Sequence, residues 1–119
     1  MMQLAALVMM IAIPNWQGRV SPVFDVAGAL LVVEIQGDTV LSRQSVVLPD
    51  DTLLRRAKRI KELSIDVLVC GALSWPLETA LSSAGVEVIS QSCGEVEEVL
   101  QAFISGELHE GAFLMPGCC

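Results

Sequence analysis

The sequence predicts a single α/β domain in which helices cover both faces of a mixed five-stranded sheet. Three observations support this prediction. Short apolar runs alternate with segments of helical periodicity, one turn signal separates two neighbouring strand-like runs, and 119 residues that are 53% hydrophobic suit one domain with a substantial core. The predicted order is strand, hairpin, helix, strand, helix, strand, helix. This alternation implies parallel strands with right-handed crossovers.

The first three strands are predicted from apolar runs and one turn. Met9 to Ile13 form a run without a polar residue, as expected of a strand that is buried on both faces. Ala29 to Ile35 and Val40 to Val47 follow, and the sequence QGDT between them favours a tight turn. These two strands should therefore pair as a hairpin and form an antiparallel edge of the sheet.

The first helix is predicted to follow the sequence PDDT. Asp50 or Asp51 would cap its N-terminus, where acidic side chains interact favourably with the helix dipole. Helical spacing then defines a buried stripe that consists of Leu53, Ala57, Ile60 and Leu63.

The second half of the chain is predicted to contain two strands and two helices. Asp66 to Cys70 form a buried strand, and the following helix has Ser74 as its cap and Pro76 in its first turn. Val86 to Ile89 form the last strand. The final helix is predicted to begin at SCGE, which places Cys93 in its first turn.

Charge argues against nucleic acid as a partner. Seven basic and fourteen acidic residues give a net charge of −7, which repels phosphate backbones. Most of the basic residues nevertheless lie within the first predicted helix. This group is either a solvated helix face or a docking surface for an acidic partner, and its members are Arg55, Arg56, Lys58, Arg59 and Lys61.

The apolar start MMQLAALVMMIAI favours a cytoplasmic protein without membrane association. No positive charge precedes it and no small-residue cleavage site follows it, unlike a signal peptide. It is also too short to span a bilayer. We therefore expect an N-terminal extension or the start of the first strand at 1–9, the α/β domain at 10–108 and a C-terminal tail at 109–119.

In a cytoplasmic protein, the four cysteines should be free thiols or metal ligands. Cys93, at a predicted helix start, is either a thiolate with a lowered pKa or a small buried residue. Cys70 ends an apolar strand and is expected in the core. Cys118 and Cys119 lie in the tail, where flexibility would let them reach a metal. His109, also in the tail, is expected to be solvated.

Three loops are predicted to meet at the carboxyl ends of the parallel strands, where ligands bind in open α/β sheets. They are 14–22, 71–75 and 90–94. Two of them lead into helix N-termini, which favour anions. No Ser–His–Asp set or P-loop is found in the sequence, and Asp25 and Glu34 are too isolated to form an acid–base pair. We therefore expect a protein that is not an enzyme.

The sequence IAIPNWQGRVSPVF carries a family resemblance. Its strand, Pro14, Gly18-Arg19-Val20, Ser21-Pro22 and Phe24 resemble the dinitrogenase iron–molybdenum cofactor biosynthesis family, over about residues 10–108. The resemblance implies a ribonuclease-H-like three-layer sandwich without nuclease activity. It also implies a nitrogen-fixation accessory protein that carries an iron–sulfur or iron–molybdenum cluster and interacts with a cofactor-assembly or acceptor protein.

The resemblance also implies where the cluster would bind. The expected contacts are Asn15, Arg19, Ser21, Gly71 and Cys93, and the expected metal ligands are Cys93, Cys118 and Cys119. Where many family members have histidine and glycine, this chain has Val23 and Asp25. Two other functions stay open: a metal-free regulatory or interaction module that docks through helix 55–61, and a thiol-redox protein that uses the terminal cysteine pair.

Overall fold

The computed structural model describes residues 8–49 and 52–106, which form one α/β unit. The strands in these ranges are β1 (Val8–Trp16), β2 (Arg19–Val20), β3 (Ala29–Gln36), β4 (Thr39–Val47), β5 (Val67–Val69) and β6 (Glu87–Ile89). The helices are α1 (Leu53–Glu62), α2 (Trp75–Ser83) and α3 (Val96–Ile104), with a short 3₁₀ turn at Phe24–Val26.

The strands form one mixed sheet in the order β4-β3-β1-β5-β6. β3 and β4 are an antiparallel hairpin, and β1 pairs antiparallel to β3 and parallel to β5. β5 and β6 are also parallel. This topology confirms the predicted hairpin edge and the parallel crossovers. The two-residue strand β2, which pairs with β1 outside this order, is a sixth strand that was not predicted.

Helices cover both faces of the sheet, as predicted. Because side chains alternate across a strand, Ala12 faces α1 and α2, whereas its neighbours Ile11 and Ile13 face α3. All three side chains are fully buried. The three-layer arrangement is therefore present, while the ribonuclease-H-like classification stays a prediction from the resemblance.

Two details of α1 differ from the prediction. Its N-cap is Thr52, whose side chain accepts a hydrogen bond from the Arg55 N–H at 3.2 Å, whereas Asp50 and Asp51 lie outside the described residues. Arg56 is 4% exposed and is therefore not part of a solvated basic face. Its guanidinium turns inward to the Ala27 and Pro49 carbonyls, which charge counting alone does not reveal.

Within the described ranges, no helix combines the length and the apolar character that a membrane span requires. The predicted tail at 109–119, with His109, Cys118 and Cys119, lies outside the described residues.

Candidate functional site at the carboxyl end of the sheet

A tight hairpin turn forms the first wall of the candidate site. Gln17 and Gly18, between β1 and β2, both have positive φ angles (53° and 85°), as two-residue hairpin turns require. The Asn15 side chain accepts a hydrogen bond from the Gly18 N–H at 2.9 Å. Asn15, a predicted cofactor contact, therefore stabilises the turn through its side-chain oxygen.

Backbone hydrogen bonds join this hairpin to the loop that precedes α3. The Val20 N–H donates to the Gly94 carbonyl at 2.9 Å, and the Val96 N–H donates to the Gly18 carbonyl at 2.9 Å. Arg19 and Glu95 lie opposite each other in this short antiparallel bridge. The predicted meeting of the first and third loops is therefore confirmed.

The loop at 71–75 approaches the loop at 14–22 even more closely. The Ala72 N–H donates to the Pro22 carbonyl and the Phe24 N–H donates to the Ala72 carbonyl, both at 2.8 Å. A Cβ atom on Gly71 would lie 2.5 Å from the Pro22 oxygen and 2.8 Å from the Ser21 oxygen. Gly71 is therefore a close-packing residue between two backbone segments, and Ser21 beside it is buried.

Asp25 has a structural role in the same region. Its carboxylate accepts a hydrogen bond from the Ser74 N–H at 2.8 Å. Ser74 is the N-cap residue of α2, as predicted, but its own hydroxyl caps no backbone group and is buried without a partner. Asp25 therefore binds the start of α2.

Cys93 occupies a different position from the one predicted. α3 begins at Val96 with Glu95 as its N-cap, so Cys93 lies three residues before the helix and not in its first turn. The helix-start prediction was wrong because Gly94, with φ 117°, belongs to the loop. Cys93 is 3% exposed and disulfide-bonded in the structure, unlike the free thiol that was predicted. Ligation of a metal by its sulfur therefore requires reduction first.

The three joined loops at 14–22, 71–75 and 90–95 form what we call the loop cluster. Arg19 is its cationic side chain. It is exposed, and it belongs to the bridge that joins the hairpin to the loop before α3. The N–H groups of Gly94 and Glu95 donate to no carbonyl of the described residues. A guanidinium near N–H groups that lack a carbonyl acceptor can bind an anion.

Cys70 belongs to the core, as predicted. It is fully buried among side chains that face α1 and α2. Burial, together with the negative charges of Glu78 and Asp25, raises the pKa of its thiol to about 12. Cys70 therefore remains a protonated thiol at neutral pH and is a poor metal ligand.

The structure brings together five of the predicted site residues but not a complete ligand set. Asn15, Arg19, Ser21, Gly71 and Cys93 all lie in the three joined loops. No group of three histidine, cysteine, aspartate or glutamate side chains within 8–49 and 52–106 could hold a metal ion. The other two predicted metal ligands, Cys118 and Cys119, lie outside these ranges.

Sequence reasoning missed the short strand β2 and its bridge to Glu95. Gly18, between Trp16 and Arg19, is a signal for a turn, and it could have revealed β2. The bridge itself has no local signal, because its partner is more than 70 residues further along the chain.

Comparisons with known proteins agree with this architecture. The sequence model of the family described as dinitrogenase iron–molybdenum cofactor matches residues 7–106. The crystal structure of PH0822 is 24% identical, with a TM-score of 0.81, and the match covers 87% of this chain and 95% of that one. No curated protein matches the chain significantly.

Two further solved structures share the fold. The apo form of the orange protein from Desulfovibrio gigas is 23% identical, with a TM-score of 0.71 and coverage of 92% of this chain and 98% of that one. A provisionally named dinitrogenase from Methanocaldococcus jannaschii is 22% identical, with a TM-score of 0.72 and coverage of 87% and 94%. At these identities the structures establish the fold alone. The family match spans most of the chain, and the protein therefore belongs to the dinitrogenase iron–molybdenum cofactor family.

Proposed function

We propose that the protein is not an enzyme and binds or delivers an iron–sulfur or iron–molybdenum type cluster as its cargo. The observation that carries this proposal is the family match over residues 7–106, since the family is named for the cofactor of dinitrogenase. An accessory role in nitrogen fixation, with a cofactor-assembly or acceptor protein as partner, is part of the same proposal.

The loop cluster supports the proposal through its charge and its sulfur. Metal–sulfur clusters are anionic, and Arg19 offers an exposed positive charge near the N–H groups of Gly94 and Glu95, which donate to no carbonyl of the described residues. Cys93, once reduced, supplies a soft ligand next to Gly94. At 3% exposure, its sulfur contacts a cluster only after the 90–95 loop has opened. Loading should therefore need both a reductant and a movement of this loop.

The test is anaerobic reconstitution with iron and sulfide, with and without molybdate, after full reduction of the protein. Absorption spectroscopy and metal analysis then measure uptake. Cys93→Ser should remove most of the bound iron and sulfide, because Ser lacks the soft ligand. Cys70→Ala is the matched control, since it removes a thiol that is buried in the core facing α1 and α2. Full retention of the cluster by Cys93→Ser would refute the ligand assignment.

Both tryptophans of the chain provide a second measurement. Trp16 and Trp75 are 59% and 75% exposed, and each lies at the edge of the loop cluster: Trp16 ends β1 and Trp75 begins α2. A bound cluster that absorbs in the near ultraviolet should quench their emission. Quenching in wild type that is absent in Cys93→Ser would link the spectroscopic signal to this site.

A second candidate function is a metal-free module that docks an acidic protein through α1. The observation that favours it is the row of exposed cations along this helix, which includes Lys58, Arg59 and Lys61. If a partner docks along the whole helix, Lys61 should contribute to its binding as much as Arg59. Equal, salt-dependent losses of acidic-peptide binding in Lys61→Glu and Arg59→Glu would support it, and undiminished binding in both would exclude it.

A further inference from the structure

A cavity lies beside α1, and none of its lining residues belongs to the loop cluster. It has a volume of about 280 Å³, and we call it the α1 cavity. Four basic side chains line it, together with the apolar residues Leu48 and Pro49. Such a combination of a concave apolar wall with several converging charges is typical of small-molecule sites. The four basic residues are Arg55, Arg56, Lys58 and Arg59.

Arg56 provides an independent observation that points to a ligand. Its side chain is 4% exposed, and it lines both the α1 cavity and an adjoining cavity of about 250 Å³. Its Nη1 donates to the Ala27 carbonyl at 2.7 Å and its Nη2 donates to the Pro49 carbonyl at 3.4 Å. The Nε–H, by contrast, has no acceptor.

No carboxylate of the described residues pairs with this buried guanidinium. Arg56 instead packs 5.7 Å from the centroid of the Phe24 ring. A buried cation that contacts neutral carbonyls and an aromatic ring is poorly compensated. An anion in the α1 cavity would supply the missing negative charge.

The size and charge of the cavity define the class of ligand. Lys58 and Arg59 are exposed at its rim, so that with Arg56 several positive charges face one volume. That arrangement suits an anion with two or more charges, and guanidinium groups match phosphate oxygens in geometry. The apolar wall formed by Leu48 and Pro49 leaves room for an organic group.

We propose that the α1 cavity binds a small phosphate-bearing molecule. This proposal does not rest on the cluster-carrier function, and it differs from protein docking because it needs the cavity and not the whole length of the helix. The net charge of −7 disfavours general attraction to phosphate, so the binding must come from this local arrangement.

Two pairs of variants test the proposal by calorimetric titration of the full chain with AMP and with inorganic pyrophosphate. Arg59→Glu should weaken binding by about tenfold or more, because it reverses a charge that contacts the ligand. Lys61→Glu makes the same change on the same helix but does not line the cavity. Its effect should stay below about threefold, since salt screens distant charges over about 8 Å.

The second pair should act in the opposite direction. Glu62 lines the cavity, whereas Glu98 is an exposed acid on α3. Glu62→Gln should tighten binding several-fold because it removes a carboxylate that repels the ligand, and Glu98→Gln should change little. A gain of affinity cannot arise from a folding defect, which keeps the test independent of any loss of stability.

Three results would overturn the proposal. The first is the absence of saturable binding of either probe at millimolar concentration. The second is an equal loss in Arg59→Glu and Lys61→Glu, which would assign binding to overall charge. The third is binding of an acidic peptide in the absence of phosphate binding, which would favour protein docking. Because the loop cluster is not involved, cluster reconstitution in Arg59→Glu should match wild type whether or not the phosphate site exists.

Discussion

Replacing Gly71 by alanine tests whether close backbone packing holds the three loops together. The added Cβ would lie 2.5 Å from the Pro22 oxygen and 2.8 Å from the Ser21 oxygen. Both neighbours are backbone atoms, so neither can move aside by changing a side-chain rotamer. The segment that carries Ser21 and Pro22 must therefore separate from the one that carries Gly71.

The expected cost follows from the contacts that such a separation strains. Overpacking costs about 1–3 kcal/mol in folding free energy. The hydrogen bond from the Ala72 N–H to the Pro22 carbonyl would also weaken, at a cost of about 1 kcal/mol. We expect Gly71→Ala to lower the free energy of unfolding by about 2–4 kcal/mol. For a domain of this size, each kcal/mol lowers Tm by roughly 4–8 °C.

Urea denaturation followed by circular dichroism measures this difference, with Gly28→Ala as the matched control. A Cβ on Gly28 would meet no atom within 4 Å, so this variant should be neutral or slightly more stable, by about 0.4–1 kcal/mol. If Gly71→Ala unfolds at the same urea concentration as Gly28→Ala, the packing argument is wrong. Gly71 would then be free to act as the cofactor contact that the sequence predicted.

Three further predictions concern Cys70, the Arg43–Glu97 ion pair and nuclease activity. Cys70→Ser should lower the free energy of unfolding by roughly 1–3 kcal/mol because it buries a hydroxyl in the core. In the native protein, Cys70 should resist alkylation at pH 8, since burial raises the pKa of its thiol to about 12. Rapid alkylation would contradict this. Arg43 lowers the pKa of Glu97, so the pair stabilises the fold above the unfolded-state pKa and loses this effect as pH falls through the lower folded-state pKa. Glu97→Gln should therefore lower the free energy of unfolding by less than about 1 kcal/mol at pH 7, because both side chains are exposed. If the difference in unfolding free energy between this variant and wild type fails to shrink below about pH 4, the result would argue against the pair. Magnesium-dependent RNA cleavage should be absent from the purified protein, because β1 carries no acidic residue to hold metal ions; cleavage that persists through repurification would refute this.

Local patterns in the sequence determined the elements and their order. The apolar run around Ile11, the hairpin turn at Gly37 and the stripe of α1 depend on neighbours within a few residues, and each element formed as predicted. The meeting of the three loops could also be predicted from the sequence, because parallel strands place their carboxyl ends at the same edge of the sheet.

Only the tertiary structure decided which contacts the candidate residues make. Gly71 packs against carbonyls about 50 residues away in the sequence, Asp25 binds the start of α2, and Arg56 turns inward to the Ala27 carbonyl. Cys93 lies before α3, in a loop joined to β2 by backbone hydrogen bonds. Periodicity and capping rules describe free energies within one segment. The contacts that set exposure, pKa and ligand access in this protein form between segments that are distant in sequence and adjacent only after folding.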